Sequence, residues 1–185
     1  MPIDQFDHIL GNPEADIIIV EYSDIECPFC KQFHYTLQRI MNEYGPTGKV
    51  AWVYRHFPID SLHKNARIEA EATECAAELG GNAKFWQYTN LLYDRTTSND
   101  GLPLDQLPLI AEEVGLNKDD FNKCLQSGRH SDKVQMHYDN AVASGGRGTP
   151  HSIIVIRSTG ERIPLQGALP YNDLKQAIDG ILSAI

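Results

Sequence analysis

The chain has 185 residues, with 16 Lys and Arg against 25 Asp and Glu, a net charge of −9 and a pI near 5.1. At 42% hydrophobic and 22% charged it has the composition of an ordinary folded domain, and its basic residues are scattered, so neither a phosphate backbone nor an anionic membrane surface would attract it. Apolar runs such as Ile17 to Val20 fall far short of the roughly 20 residues that cross a bilayer.

The N-terminus, Met1-Pro2-Ile3-Asp4-Gln5, shows no basic segment followed by an apolar core, which fits either a cytosolic protein or a mature form without its leader. The run Asp16 to Tyr22 is β-branched and nearly continuous, the pattern of a strand buried on both faces of a sheet. Ser23 or Asp24 can turn the chain into Cys27-Pro28-Phe29-Cys30. Beyond it Phe29, Phe33, Leu37, Ile40, Met41 and Tyr44 recur at helical spacing and predict a helix over 28–44, with Pro28 in its first turn. After the Gly45-Pro46 break, Val50 to Arg55 predicts a second strand, so the first flank is a right-handed parallel β-α-β unit.

From about 62 to 146 the period is helical. Leu107, Ile110, Ala111 and Val114 mark a helix ended by Gly115; Phe121, Cys124 and Leu125 mark another between Asn117 and Gly128. Val134, Tyr138, Ala141 and Val142 mark a third, stopped by Gly145-Gly146. Gly148-Thr149-Pro150 leads into a strand over 152–156, a turn at 158–161, a return strand over 162–165 and, from Pro170, a last helix with Leu174, Ala177, Ile178, Ile181 and Leu182 inward. The expected architecture is α/β: β-α-β, an all-helical insertion, then β-β-α.

The two close thiols carry the chemistry. Cys27 is expected at a helix N-terminus, where unpaired N–H groups and the helix dipole favour thiolate over thiol, which makes it the nucleophile with an exposed sulfur. Cys30, one turn inside on nearly the same face, is the shielded resolving thiol. Two cysteines at this spacing also make half a zinc site, but Cys75 and Cys124 stand alone and no finger-like histidine pair follows, so no metal is assigned. A purely structural bridge over so tight a loop would constrain little of the unfolded chain. With strand before and helix after, the redox reading is preferred. If Cys27 pairs with Cys30, Cys75 and Cys124 are left either to bridge each other or to pack as small buried hydrophobes on their helical faces.

The CxxC at the head of the first helix, the two flanks and Thr149-Pro150 before the third strand together resemble the thioredoxin fold. With the helical insertion, the whole chain resembles the DsbA-like thiol:disulfide oxidoreductases, as one domain over 1–185 with the insertion at about 62–146. The most specific stretches are Glu21 to Cys30, Arg55-His56-Phe57-Pro58 and Gly148-Thr149-Pro150. Glu74-Cys75, Lys84-Phe85-Trp86 and Phe121 to Leu125 resemble the subgroup with an extra disulfide, which implies a structural Cys75–Cys124 bridge.

The resemblance implies that Pro150 is a cis-proline facing the CxxC and that Thr149 presents its backbone to an extended substrate segment. By itself, a Thr-Pro is an ordinary trans bond at a strand start. Glu21 matches the family's acidic residue beneath the active-site helix, a proton acceptor or relay for Cys30; read alone it is equally a surface-facing glutamate at a strand end. The chain departs from the strongest oxidants at Phe29, where they carry a histidine that helps hold the thiolate. His151 could restore part of that charge when protonated, or be a partly buried strand residue; for His34 packing is the expected role.

The expected function is exchange of disulfides with protein substrates, in the oxidising direction, without a cofactor and with a redox partner that recycles the pair. An isomerase or reductase would run the same atoms in reverse. Other readings are a non-catalytic thioredoxin-like or zinc-binding module and a glutathione-linked intracellular relative. An even cysteine count places the protein in the periplasm or another extracytoplasmic compartment, with the cytoplasm as the alternative.

Overall fold

The computed structural model describes residues 2–4 and 6–185; Met1 and Gln5, on which the N-terminal reading partly rests, lie outside the described residues. In chain order the elements are β1 (His8–Gly11), β2 (Ile17–Ser23), α1 (Pro28–Tyr44), β3 (Val50–His56), α2 (Ala66–Arg95), α3 (Leu107–Glu113), α4 (Lys118–Ser127), α5 (Ser131–Ala143), β4 (His151–Ile156), β5 (Arg162–Gln166) and α6 (Tyr171–Ala184). The five strands form one mixed sheet in the order β1-β3-β2-β4-β5. β2 lies at its centre, parallel to β3 and antiparallel to β4, and every one of its residues is buried. That is why its sequence is a continuous apolar run rather than an alternating one.

The two faces of the sheet carry separate cores. Ile17, Ile19, Trp52 and Tyr54 meet Phe33, Leu37 and Ile40 of α1, Cys75 and Trp86 of α2 and Leu174 and Ile178 of α6. Ile18, Val20, Ala51 and Val53 point the other way, toward Phe57 and Ala141 of α5. The alternation of neighbours along β2 is the two-residue pleat assigning each side chain to one layer. Burial of a side chain such as Phe33 or Leu37 is worth roughly 1.5–3 kcal/mol each, so α1 is anchored mainly by this stripe.

Helix ends follow their sequence signals. Asn117 caps α4 by accepting from the Asp120 N–H at 3.0 Å, and Gly128 closes it at φ 61°. α2 is interrupted at Gly81, whose φ of 73° and ψ of −173° are non-helical, so the long insertion helix bends there. The sequence reading omits β1. Four residues are too short for a pattern of their own, and its conformation comes from pairing with β3, from His8 opposite Tyr54 to Gly11 opposite Ala51.

Candidate active site

Three loop segments converge at the C-terminal ends of β2 and β3. Cys27 is the N-cap of α1, with extended φ and ψ (−78°, 120°), and Pro28 follows where no N–H is needed. Cys30 lies one turn on and is fully buried. Both thiols are free. The expectation of an exposed Cys27 sulfur needs correction: Cys27 is only 5% exposed, because Thr149 closes over it. The thiol lies 3.4 Å from the Thr149 main-chain oxygen, to which it donates while protonated. The Thr149-Pro150 peptide bond is cis. Phe29, 62% exposed, stands at the mouth as an apolar rim.

The two thiols have opposite acid–base character. As a thiolate, Cys27 accepts from the Cys30 thiol; against the cost of burial, that bond, the Thr149 side chain and the N–H groups of Cys30 and Phe29 lower its pKa to about 6. Burial, followed by the Cys27 charge beside it, pushes Cys30 well above the usual thiol range. Cys30 Sγ accepts from the Asp24 N–H at 3.4 Å.

Glu21 is fully buried on β2, so the surface-facing reading is set aside. Its oxygens accept from Ser23 Oγ at 2.8 Å and Trp52 Nε1 at 3.0 Å, yet burial outweighs both bonds and raises its pKa to about 8. Ser23 also interacts with Cys30, so Glu21, Ser23 and Cys30 form a chain beneath the helix head.

His151 is placed elsewhere than the charge-supplying reading required. It opens β4, stacks on Tyr22 with ring centres 5.5 Å apart, and its Nε2 meets Ser144 Oγ at 3.1 Å. Burial lowers its pKa, which makes it a poor source of positive charge. His34 is buried on α1, stacked on Tyr93 at 4.3 Å and bonded to Asn90 at 2.8 Å. Cys75 and Cys124 are bridged, tying α2 to α4.

Several neighbours of the thiols escaped the sequence reading. The buried Asp24 carboxylate accepts from the N–H of Glu26 at 2.8 Å, the N–H of Ile59 at 2.7 Å and Nδ1 of His63 at 2.9 Å. Glu26, also buried, accepts from Thr96 Oγ1 at 2.7 Å and the Gly101 N–H at 3.0 Å, while its main-chain oxygen accepts from the Asn99 N–H at 2.8 Å. Residues 98, 99 and 100, with φ of 67°, 56° and 63°, are all left-handed, and these bonds hold them there. Beside Glu26 lies the buried Glu69, pushed up to about 10 by burial and by the Glu26 charge, and thus a neutral acid able to donate to Glu26. Of these residues Asp24 and Glu26 lay within the motif already singled out; His63 and Glu69 carry no local signal, because only the folded chain brings them to the helix head.

A mixed sheet with a CxxC heading its first long helix, a Thr-Pro segment facing it and helices inserted between the sheet's two halves defines a thioredoxin fold of the DsbA-like kind. A family model described as "Thioredoxin" matches residues 4–180, and the chain belongs to that family. Among solved structures it is similar to DsbA2 of Pseudomonas aeruginosa, at 28% identity and a TM-score of 0.78 over 98% of this chain and 96% of that one. It also shares its fold with alpha-DsbA1 of Wolbachia pipientis, at 24% identity and a TM-score of 0.82 over 97% and 92% of the two chains. Among curated proteins it is 34% identical over 151 residues to Na(+)/H(+) antiporter NhaA 3 of Salinispora tropica, covering 81% of this chain and 22% of that protein. The chain thus spans about a fifth of the length of the curated relatives it matches. Among the described residues, no helix is long and apolar enough to cross a membrane.

Proposed function

We propose that the protein is a thiol:disulfide oxidoreductase that oxidises dithiols in protein substrates. The observation that carries this reading is the contrast between two touching sulfurs: Cys27 ionises near pH 6, whereas Cys30 keeps its proton far above neutrality. A stabilised Cys27 thiolate favours the reduced enzyme, and so makes the enzyme disulfide an oxidant.

In the forward reaction a substrate thiolate attacks Cys27 Sγ of the oxidised pair. The Cys27–Cys30 bond breaks, a substrate–Cys27 disulfide forms, and Cys30 departs with the electron pair. Its high proton affinity requires a proton, and Glu21, a neutral acid below about pH 8 linked through Ser23, is placed to supply it. A second substrate thiolate then attacks the substrate sulfur of the mixed disulfide and expels Cys27 as a thiolate. The substrate has lost two electrons and the enzyme pair has gained them. A redox partner carrying a disulfide or another two-electron acceptor returns the pair to its oxidised form.

Thr149 and Pro150 form the wall against which an extended substrate segment lies, the Thr149 backbone pairing with it beside Cys27. Pro28 and Phe29 shape the mouth. The bridged Cys75–Cys124 pair supports an extracytoplasmic location, the oxidising setting in which such bonds persist. We read the chain as one domain over 1–185 with 62–146 as its insertion; the antiporter name remains with the longer relatives.

The test is the equilibrium of the Cys27/Cys30 pair with glutathione, combined with disulfide formation in a reduced peptide dithiol. An oxidase takes up substrate electrons under mildly oxidising glutathione. A pair that stays oxidised against a large excess of reduced glutathione would instead be a reductase.

A further inference from the structure

His63 lies in the loop between β3 and α2, 33 positions beyond Cys30, and the fold returns it to the thiols. It lines the same groove as Cys27, Phe29, Ile59, Leu62 and Arg147. It is 4% exposed, and its ring is fixed by Nδ1 on Asp24 Oδ2 at 2.9 Å, while its own N–H donates to the Ile59 carbonyl at 3.0 Å. The same Asp24 residue accepts from the Cys27 N–H through its carbonyl at 3.2 Å and donates its N–H to Cys30 Sγ. Asp24 therefore joins the imidazole to the Cys27 backbone at the helix head and to the Cys30 sulfur.

We infer that His63, oriented by Asp24, is the positioning residue whose imidazolium balances the Cys27 thiolate, taking the charge that Phe29 cannot carry between the two cysteines. This deepens the oxidoreductase reading and rests on it. The charged and titratable groups around His63 are Asp24 and Glu26 at the head of α1, Lys64 beside it, Glu69 on α2, Asp100 in the left-handed segment, Arg147 before β4 and Cys27 itself. Burial opposes the charged ring, but Asp24, then Cys27 and Asp100, raise its pKa above the ordinary value. Protonation of His63 and ionisation of Cys27 are consequently linked, each favouring the other. Oxidation removes the Cys27 charge, so the ring should hold its proton less firmly in the oxidised protein. Arg147 also faces the groove, but it is exposed, where solvent and salt screen it.

The experiment begins with the unaltered protein: the His63 ring is titrated by NMR in the reduced and oxidised forms. Its midpoint is expected higher in the reduced form, and equal midpoints would overturn the inference. The Cys27 thiolate is then titrated by its ultraviolet absorbance in reduced wild type, His63→Gln and His63→Lys. Loss of the ring charge should weaken Cys27 ionisation by about three- to tenfold, from the ordinary effect of one nearby charge in a partly screened site. His63→Lys should restore the wild-type midpoint. If both variants shift it equally, the residue acts through packing and the inference fails. These readouts involve no substrate, so a protein that oxidises no dithiol yet shows the linked titration would sink the proposed function and leave this inference standing.

Discussion

Cys27 Sγ and the main-chain oxygen of Thr149 lie 3.4 Å apart although 122 positions separate them in the chain. The contact joins the α1 head to the entrance of β4, beside the groove that Cys27 and Thr149 line together with Phe29 and Ile59. Cys30 beneath Cys27 is fully buried, so Cys27 is the more accessible of the two sulfurs.

Offered a peptide disulfide, Cys30→Ser should accumulate a mixed disulfide between Cys27 and the peptide, the other peptide sulfur leaving as a thiol, because the Cys30 attack that would displace the bound peptide in this reverse direction is gone. Cys27→Ser should form none and lose dithiol oxidation to background. Intact-mass measurement without reductant checks both; adducts on Cys30 in the Cys27→Ser protein would contradict the assigned order.

Glu21 keeps its proton to about pH 8 in the fold, against an ordinary value of 4.5. Between these limits the folded state binds more protons than the unfolded one, so this group's contribution to stability falls as pH rises from 4.5 to 8. Glu21→Gln has no proton to lose. Measured on the oxidised proteins by denaturant unfolding, the variant should gain on wild type by up to about 1.4 kcal/mol per pH unit across that window. A constant difference from pH 5 to 8 would refute the buried-acid assignment.

The Cys75–Cys124 bond closes a loop with a sequence separation of 49 between α2 and α4. The Cys75→Ser/Cys124→Ser double variant should lose about 2–4 kcal/mol of stability through the released unfolded-state entropy. The Cys27 thiolate midpoint should stay where it is, because the bridge touches neither active-site thiol. Urea unfolding and thiolate titration read the two effects separately.

Glu74 gathers three cationic or imidazole partners: His8 Nε2 at 2.9 Å, His56 Nε2 at 2.8 Å and Lys133 Nζ at 2.7 Å. Burial works against its charge, but the bonds from His56 and His8 prevail and hold it well below the usual carboxylate range. Glu74→Ala would strip the acceptor from all three and should cost about 3–5 kcal/mol, with Glu74→Gln costing less. Thermal unfolding at neutral pH checks the order of the two.

Much of the fold is visible in local pattern. The buried run at 17–20, the α1 stripe and the Asn117 and Gly128 boundaries of α4 are each encoded by neighbouring residues, and the elements follow them. β1 was not visible, since its strand character comes from β3. The two thiols and Thr149-Pro150 were visible as motifs. His63, Glu69 and the burial of Glu21 were not, because each depends on contacts made only after the sheet and insertion pack. Of the two readings of His151 the structure agrees with the partly buried strand residue: closeness in sequence to Pro150 does not direct a ring toward Cys27.

Glu26 binds residues 96 to 101 through side chain and backbone alike, and this has a consequence for exchanging parts between related proteins. The helical insertion cannot be grafted as a free-standing module. A chimera that imports another insertion without a partner for Glu26 would bury an uncompensated carboxylate next to Cys27, so Glu26, Thr96 and the 98–100 turn must be transplanted as a set.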